Sequence, residues 1–221
     1  MVKQTRAQRT RQALIAAAAI EFDRHGYSGT SLSAVHGACG VTMGALTFHF
    51  PAKADLASAV CREAEAVTRA ALPGPEPAPT VRSVAELTLV VADLLECEVT
   101  VRAAARLSQE RMPSAQWHDV WRAALRDLVP LLHRTAAPDA WPRPGELELL
   151  AVYLTAGAEA ALRAGQPGGE VRAQLERLWG LVIDAAPKSA SNLVPDPAPD
   201  VRPLIPDHRP GSLPLTNGLN P

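Results

Sequence analysis

Aromatic side chains are scarce, making up 4% of the 221 residues. That scarcity argues against a β-sandwich core and for Ala, Leu and Val packing between helices. The cysteines Cys39, Cys61 and Cys97 lie far apart with no Cys-x-x-Cys pair. Such spacing suits neither a zinc ribbon nor a disulfide framework, and reads as reduced core thiols of a cytoplasmic protein. No apolar run approaches the roughly 20 residues of a membrane helix. The stretch Ala13 to Ile20 stops at Glu21, too short for a secretory signal. His25, His36, His49, His118, His133 and His208 form no His-Glu-x-x-His motif. Nothing has the pattern of a nucleophile elbow or a phosphate-binding loop. No catalytic residue, metal ligand or cofactor is therefore expected, and no membrane partner. The net charge of −1 excludes a generic nucleic-acid coat.

The composition that remains is informative. Hydrophobic residues reach 47%, enough for a sizeable buried core. Charge is divided unevenly along the chain. Residues 1–55 hold Lys3, Arg6, Arg9, Arg11, Arg24 and Lys53 against Glu21, Asp23 and Asp55, whereas acids outnumber bases in the remainder. A basic head on an acidic body suits a nucleic-acid-binding unit joined to one that stays clear of the duplex.

Within the head, Leu14, Ala17, Ala18 and Phe22 form the stripe of an amphipathic helix closed by Gly26. Residues 1–11 read as a basic arm leading into it, either near phosphates or simply solvated. Leu32, Val35 and Ala38 mark a short second helix that Cys39-Gly40 breaks. Thr42 is a good N-cap for a third, running to about His49. Two short helices about a glycine turn make a helix-turn-helix, and the second is narrow enough for a major groove.

Gly40-Val-Thr-x-Gly-x-Leu46, then Phe48-His-Phe50 and Lys53, resembles the DNA-binding domain of TetR-type repressors. The run Gly44 to Phe50 is most similar to the γ-butyrolactone-receptor branch, which controls antibiotic production in filamentous bacteria. The resemblance implies DNA contacts from Ser31, Thr42, Met43, Gly44, Ala45, Thr47, His49 and Lys53. Three positions depart from the pattern. Thr47 replaces a Tyr whose hydroxyl reaches a phosphate, Met43 stands where Lys is common, and Gly37 stands where Ala is preferred.

Behind the head, a fourth helix from Lys53 to about Leu72 links the two parts. Pro73 to Pro79 carries four prolines and reads as a stiff connector. The capping box Ser83-Val-Ala-Glu86 opens a helix to about Glu98. Further helices are expected over about 100–111, 115–134 with a kink at Pro130, 146–164 and 166–186. Trp117 and Trp121 share a helical face, a pattern typical of plain core. The resemblance instead implies that Trp117 forms a wall of the ligand pocket, with Trp121 and Tyr153 as further candidates. Arg102 and Arg106 read as surface or ion-paired groups. The resemblance also implies a homodimer interface on the last two helices, where Ala156, Gly157, Ala160 and Ala161 permit close approach.

The expected architecture is all-α. A helix-turn-helix domain occupies 1–52, a ligand-binding and dimerisation bundle 53–186, and a Pro-rich, disordered tail 187–221. The expected function is a homodimeric repressor on a near-palindromic operator, released by a small hydrophobic signal such as a γ-butyrolactone, butenolide or furan. The alternatives are a signal-binding module with altered or lost DNA reading, and a broad multidrug sensor.

Overall fold

Apolar periodicity places the helices of the described residues, among which there is no strand. The computed structural model describes residues 2–74, 78–113, 115–134 and 143–185. Among them are nine helices: α1 (Val2–Gly29), α2 (Leu32–Cys39), α3 (Met43–His49), α4 (Lys53–Ala71), α5 (Val81–Cys97), α6 (Val99–Gln109), α7 (Trp117–Arg134), α8 (Pro144–Arg163) and α9 (Gly168–Ala185). The tail from 187 and most of the Pro138–Gly145 loop fall outside the described residues, as does part of the Pro73–Pro79 connector.

In the head, local chemistry sets the boundaries. The Ser31 hydroxyl accepts the Ala34 N–H at 3.1 Å and starts α2. Gly40, at φ 66 and ψ 16, ends α2 in the left-handed conformation. The Thr42 hydroxyl accepts the Ala45 N–H at 3.3 Å and starts α3. The segment expected as an arm is already helical from Val2. In the body, α5 starts at Val81 rather than at Ser83. The Ser83 hydroxyl accepts the Thr80 N–H at 3.0 Å, so Ser83 closes a box that Thr80 opens. Helix α7 runs through Pro130 to Arg134.

One buried cluster runs from Leu14 and Phe22 in α1 through Leu46, Leu56 and Leu107 to Trp121 and Trp179. Helix α1 packs along α6, and α4 lies against both. Polar groups fix this junction. Arg102 Nε meets Asp23 at 2.9 Å. One Arg106 nitrogen donates to the carbonyls of Asp23 and Arg24, at 2.7 and 2.9 Å. Glu110 accepts the Tyr27 N–H at 2.8 Å. Arg102, Arg106 and Glu110 thus form one edge of α6 that closes the end of α1.

Gly26 makes that closure possible. Its φ of 69 with ψ −176 is a region open essentially to glycine alone. A Cβ there would lie 2.0 Å from a Glu110 carboxylate oxygen. Gly26→Ala should therefore destabilise by about 2 kcal/mol or more. Gly40→Ala meets open space, and should cost only about 1–2 kcal/mol for its backbone conformation. Thermal melting of the two variants checks this, and an equal shift would show that the Glu110 contact yields freely.

Candidate functional site

Helix α3 is held from behind by Leu46, which is fully buried, and by Phe50 just beyond its end. Its other side carries Met43, Gly44, Thr47 and Phe48, all exposed. No Cβ at Gly44 would touch anything in the chain. The fold itself therefore does not require glycine there, whereas close approach of a partner's backbone would. Ala45 and His49 are half-buried at the edges of this face.

The expected contact residues divide into two groups. Ser31 and Thr42 are exposed at helix N-termini, but their hydroxyl oxygens already cap α2 and α3. Thr47 turns its hydroxyl back to the carbonyls of Met43 and Gly44, at 3.1 and 3.2 Å. Lys53 departs most from expectation. Its ammonium donates to the carbonyls of Tyr27 and Thr30, at 2.7 and 2.9 Å, and lies 4.4 Å from the Tyr27 ring centroid. Without DNA its ammonium thus sits in an internal clasp made by two carbonyls of the α1–α2 turn, which a phosphate contact would have to share or open. Arg11 also faces inward, with its guanidinium 5.2 Å from the Phe50 ring centroid. Among the head cations whose side chains are described, Arg6, Arg9 and Arg24 stay exposed. Phe48 is 81% exposed on the same face and was not among the expected contact residues. Its place one residue beyond Thr47 in a seven-residue helix was the available signal.

In the body, Trp117 and Trp121 are buried. The Trp117 N–H donates at 2.8 Å to the Thr68 hydroxyl of α4. Trp121 on the next turn keeps a buried N–H with no acceptor among the described residues. An orphaned indole donor costs about 1–3 kcal/mol, so an incoming acceptor oxygen there is favoured. A cleft of about 250 Å³ opens between α5 and α7, lined by Leu87, Ala124, Leu128 and Leu131 with Ser83, Glu86 and Asp127. Its acidic groups disfavour anions, and its leucines suit a neutral apolar molecule. Tyr153 does not belong to such a pocket. It is 65% exposed on α8, opposite the buried side of Ala151 and Thr155.

Beside Trp117, the His118 ring lies 3.2 Å from Glu159. Glu159 also accepts from Gln109 at 2.7 Å and Arg163 at 3.2 Å. Burial pushes the Glu159 carboxyl up, but the bond and charge of His118 and the Arg163 guanidinium together outweigh it. Its pKa accordingly lies below the ordinary 4.5. Among the described residues, no group of three or more His, Cys, Asp or Glu could hold a metal, and no helix is long and apolar enough to cross a membrane.

A short helix held from behind and bare in front, on a basic head joined to a helical body, defines a helix-turn-helix regulator. Residues 14–60 match the TetR family of bacterial regulatory proteins. The A-factor receptor protein of Streptomyces griseus is 41% identical over 63 residues, which are 28% of this chain and 23% of that protein. The match thus spans about a quarter of that relative's length. A γ-butyrolactone receptor described as ArpA-like superposes with a TM-score of 0.65 at 26% identity, covering 83% of this chain and 91% of the other. The TetR-family protein CprB of Streptomyces coelicolor, solved with its biological operator, gives 0.60 at 28% identity, covering 82% and 91%. Residues 14–60 thus match a TetR-type DNA-binding domain, and the described fold is similar to that of the γ-butyrolactone receptors.

The depressed Glu159 pKa has a consequence for stability. A carboxylate whose folded pKa lies below its unfolded one stabilises the fold above the ordinary carboxylate range. That contribution is lost as pH falls through the folded value. Glu159→Gln should lower stability at pH 7 by roughly 1–3 kcal/mol, the worth of charge-assisted bonds. The gap to the parent should narrow as pH drops below about 4.5, the ordinary value. Melting curves between pH 7 and pH 3 test the sign, and a gap that widens in acid would refute it.

Proposed function

We propose that the protein is a cytoplasmic, homodimeric repressor that binds a near-palindromic operator and leaves it when a small hydrophobic signal enters the body. The observation that carries this is the α3 face, where Met43, Gly44, Thr47 and Phe48 stand exposed together on a basic head. Two such helices, one from each protomer, would enter successive major grooves. Ser31, Thr42, Gly44, Ala45 and His49 are proposed to lie along the backbone, and Met43 and Thr47 towards the bases.

The coupling route follows from two contacts. Thr68 of α4 receives the Trp117 N–H, so a change around α7 pulls on the helix that leads into the head. The α6 edge holds the end of α1 through Arg102, Arg106 and Glu110. A signal seated against Trp117 and Trp121, entering from the α5–α7 cleft, would tilt α4 and alter the separation of the two α3 helices. The relatives' names favour a γ-butyrolactone or related butenolide or furan. The absence of any cation on α3 favours a second reading, a signal-binding module whose DNA reading has been lost.

The proposed dimer uses the outer side of α8 and α9. Leu149, Tyr153, Leu178 and Leu181 are exposed there at 50, 65, 45 and 70%. Exposed Ala156, Gly157 and Ala160 continue the α8 stripe. A contiguous apolar surface of this kind marks an interface, and Tyr153 moves from the pocket to that interface.

Binding to duplex DNA carrying the chain's own upstream region should weaken linearly on a log–log plot against salt. Added γ-butyrolactone should release the duplex, and Trp121→Phe, which lacks the N–H, should need roughly tenfold more ligand for one lost hydrogen bond. Gel-shift titrations at two salt concentrations measure both. Absence of any shift at low salt would leave the signal-binding module. In sedimentation, the double variant Tyr153→Glu, Leu181→Glu should run as a folded monomer where the parent runs as a dimer. An unchanged dimer would place the interface elsewhere.

A further inference from the structure

Among the described residues, large exposed hydrophobic side chains do not scatter. Apart from Ile20, they fall on the α8–α9 surface and on α3, where Met43 is 38% and Phe48 81% exposed. On α3 they share a face with Gly44 and Thr47, at spacings of one, four and five residues. Gly44 offers no side chain. Thr47 spends its hydroxyl proton on the carbonyls of Met43 and Gly44, which leaves its methyl and an acceptor oxygen for a partner. The exposed side chains of α3 are therefore thioether, methyl and phenyl beside that one oxygen, with no charged group and no side-chain donor.

The four bases differ in what they offer such a face. Guanine presents two acceptors in the major groove, adenine an acceptor and a donor, and cytosine a donor. Each needs a polar complement. Thymine presents a C5-methyl, which needs only an apolar surface. Sulfur is a weak acceptor at best, and phenyl and methyl groups offer no donor. A guanine pressed against these side chains would lose water from its two acceptors with no side-chain donor to replace it, which disfavours it.

We infer that α3 selects its operator by burying thymine methyl groups against Met43, Thr47 and Phe48, with Phe48 the main specificity-determining residue. This rests on the repressor function proposed above. Base choice follows from methyl burial together with rejection of unpaired guanine edges. The exposed head arginines supply affinity without sequence preference. Loss of a lysine at 43 and a tyrosine at 47 then marks a changed alphabet of recognition, not an abolished one.

The test uses the full chain and duplexes that it selects from a randomised pool. Each dT of a selected duplex is replaced in turn by deoxyuridine, which differs only in lacking the methyl. At the contacted positions the parent protein should lose about fourfold in affinity per methyl, the worth of one buried carbon. Phe48→Ala, exposed and so without effect on folding, should bind the parent duplex more weakly and no longer distinguish dT from deoxyuridine at its position. Deoxyuridine without effect at every position would overturn the inference while leaving operator binding intact. So would a dominant loss on replacing guanine by 7-deazaguanine, because hydrogen-bond reading would then govern. If no duplex is selected, the repressor function fails and the inference fails with it.

Discussion

The closure of α1 by α6 is the constraint on which the rest of the molecule depends. A helix-turn-helix of two short helices has too little apolar surface to fix its own attitude to a body. Here the attitude is fixed by three side chains spaced four apart on α6, acting on the last turn of α1. Arg106 satisfies carbonyls that a helix end leaves open, and Glu110 takes the amide beyond the break. The geometry works only because Gly26 turns the chain away where any side chain would meet the Glu110 carboxylate. Lys53 then ties the same turn to the start of α4 through two carbonyls. The head is thus attached to the body at two places, along α6 and along α4. A displacement of α4 relative to α6 must rotate the head rather than merely shift it.

Much of this was legible in the sequence, wherever the signal was local. Ser31, Gly40 and Thr42 cap and break helices through atoms three or four residues away, so their types and spacing suffice. The apolar stripes of α1, α4 and α5 follow from the helical period, and the whole helical architecture follows with them. The misses share another cause. Lys53 reads as a phosphate contact because the sequence cannot show that the α1–α2 turn folds back beneath its ammonium. The position of Tyr153 in a helix is readable, but which side of α8 is covered depends on α5 and α9, far away in the chain. The start of α5 shifts by two residues because Thr80 and Ser83 both make acceptable caps, and only packing decides between them. Arg102 and Arg106 read as surface or ion-paired groups, without any indication that their partner is the head.

The body combines a polar, fully partnered region with one that lacks a partner. On one side of α7, His118 joins Glu159, Gln109 and Arg163 in a network that resists change, since removing one member strands a buried charge. On the other side, Trp117 bonds to Thr68 while Trp121 has an N–H with nothing to receive it. Buried donors without partners raise the energy of the state that contains them, so any state supplying an acceptor gains by comparison. The asymmetry gives α7 a fixed edge and a responsive edge, and the responsive edge is the one attached to α4. A signal need supply no large contact area to act there. The α5–α7 cleft of about 250 Å³ is lined by neither tryptophan, so on the proposed reading a small neutral apolar signal would have to pass beyond it to bring an oxygen to Trp121.

The two apolar faces left open by the fold lie on α3 and on α8–α9, and they place different demands on a partner. The α8–α9 face is broad and interrupted by alanine and glycine, the form that a second, identical helix pair can match by close approach. The α3 face is one turn and a half of a single helix, too small to hold a protein partner but of the right width for a groove. Its weakness alone suits its proposed use. Binding at one half-site by a few methyl contacts is marginal, and becomes firm only when a second copy is held at the correct distance. Readout through apolar contacts then makes occupancy depend steeply on the geometry of the dimer. A modest tilt of α4 is enough to end it.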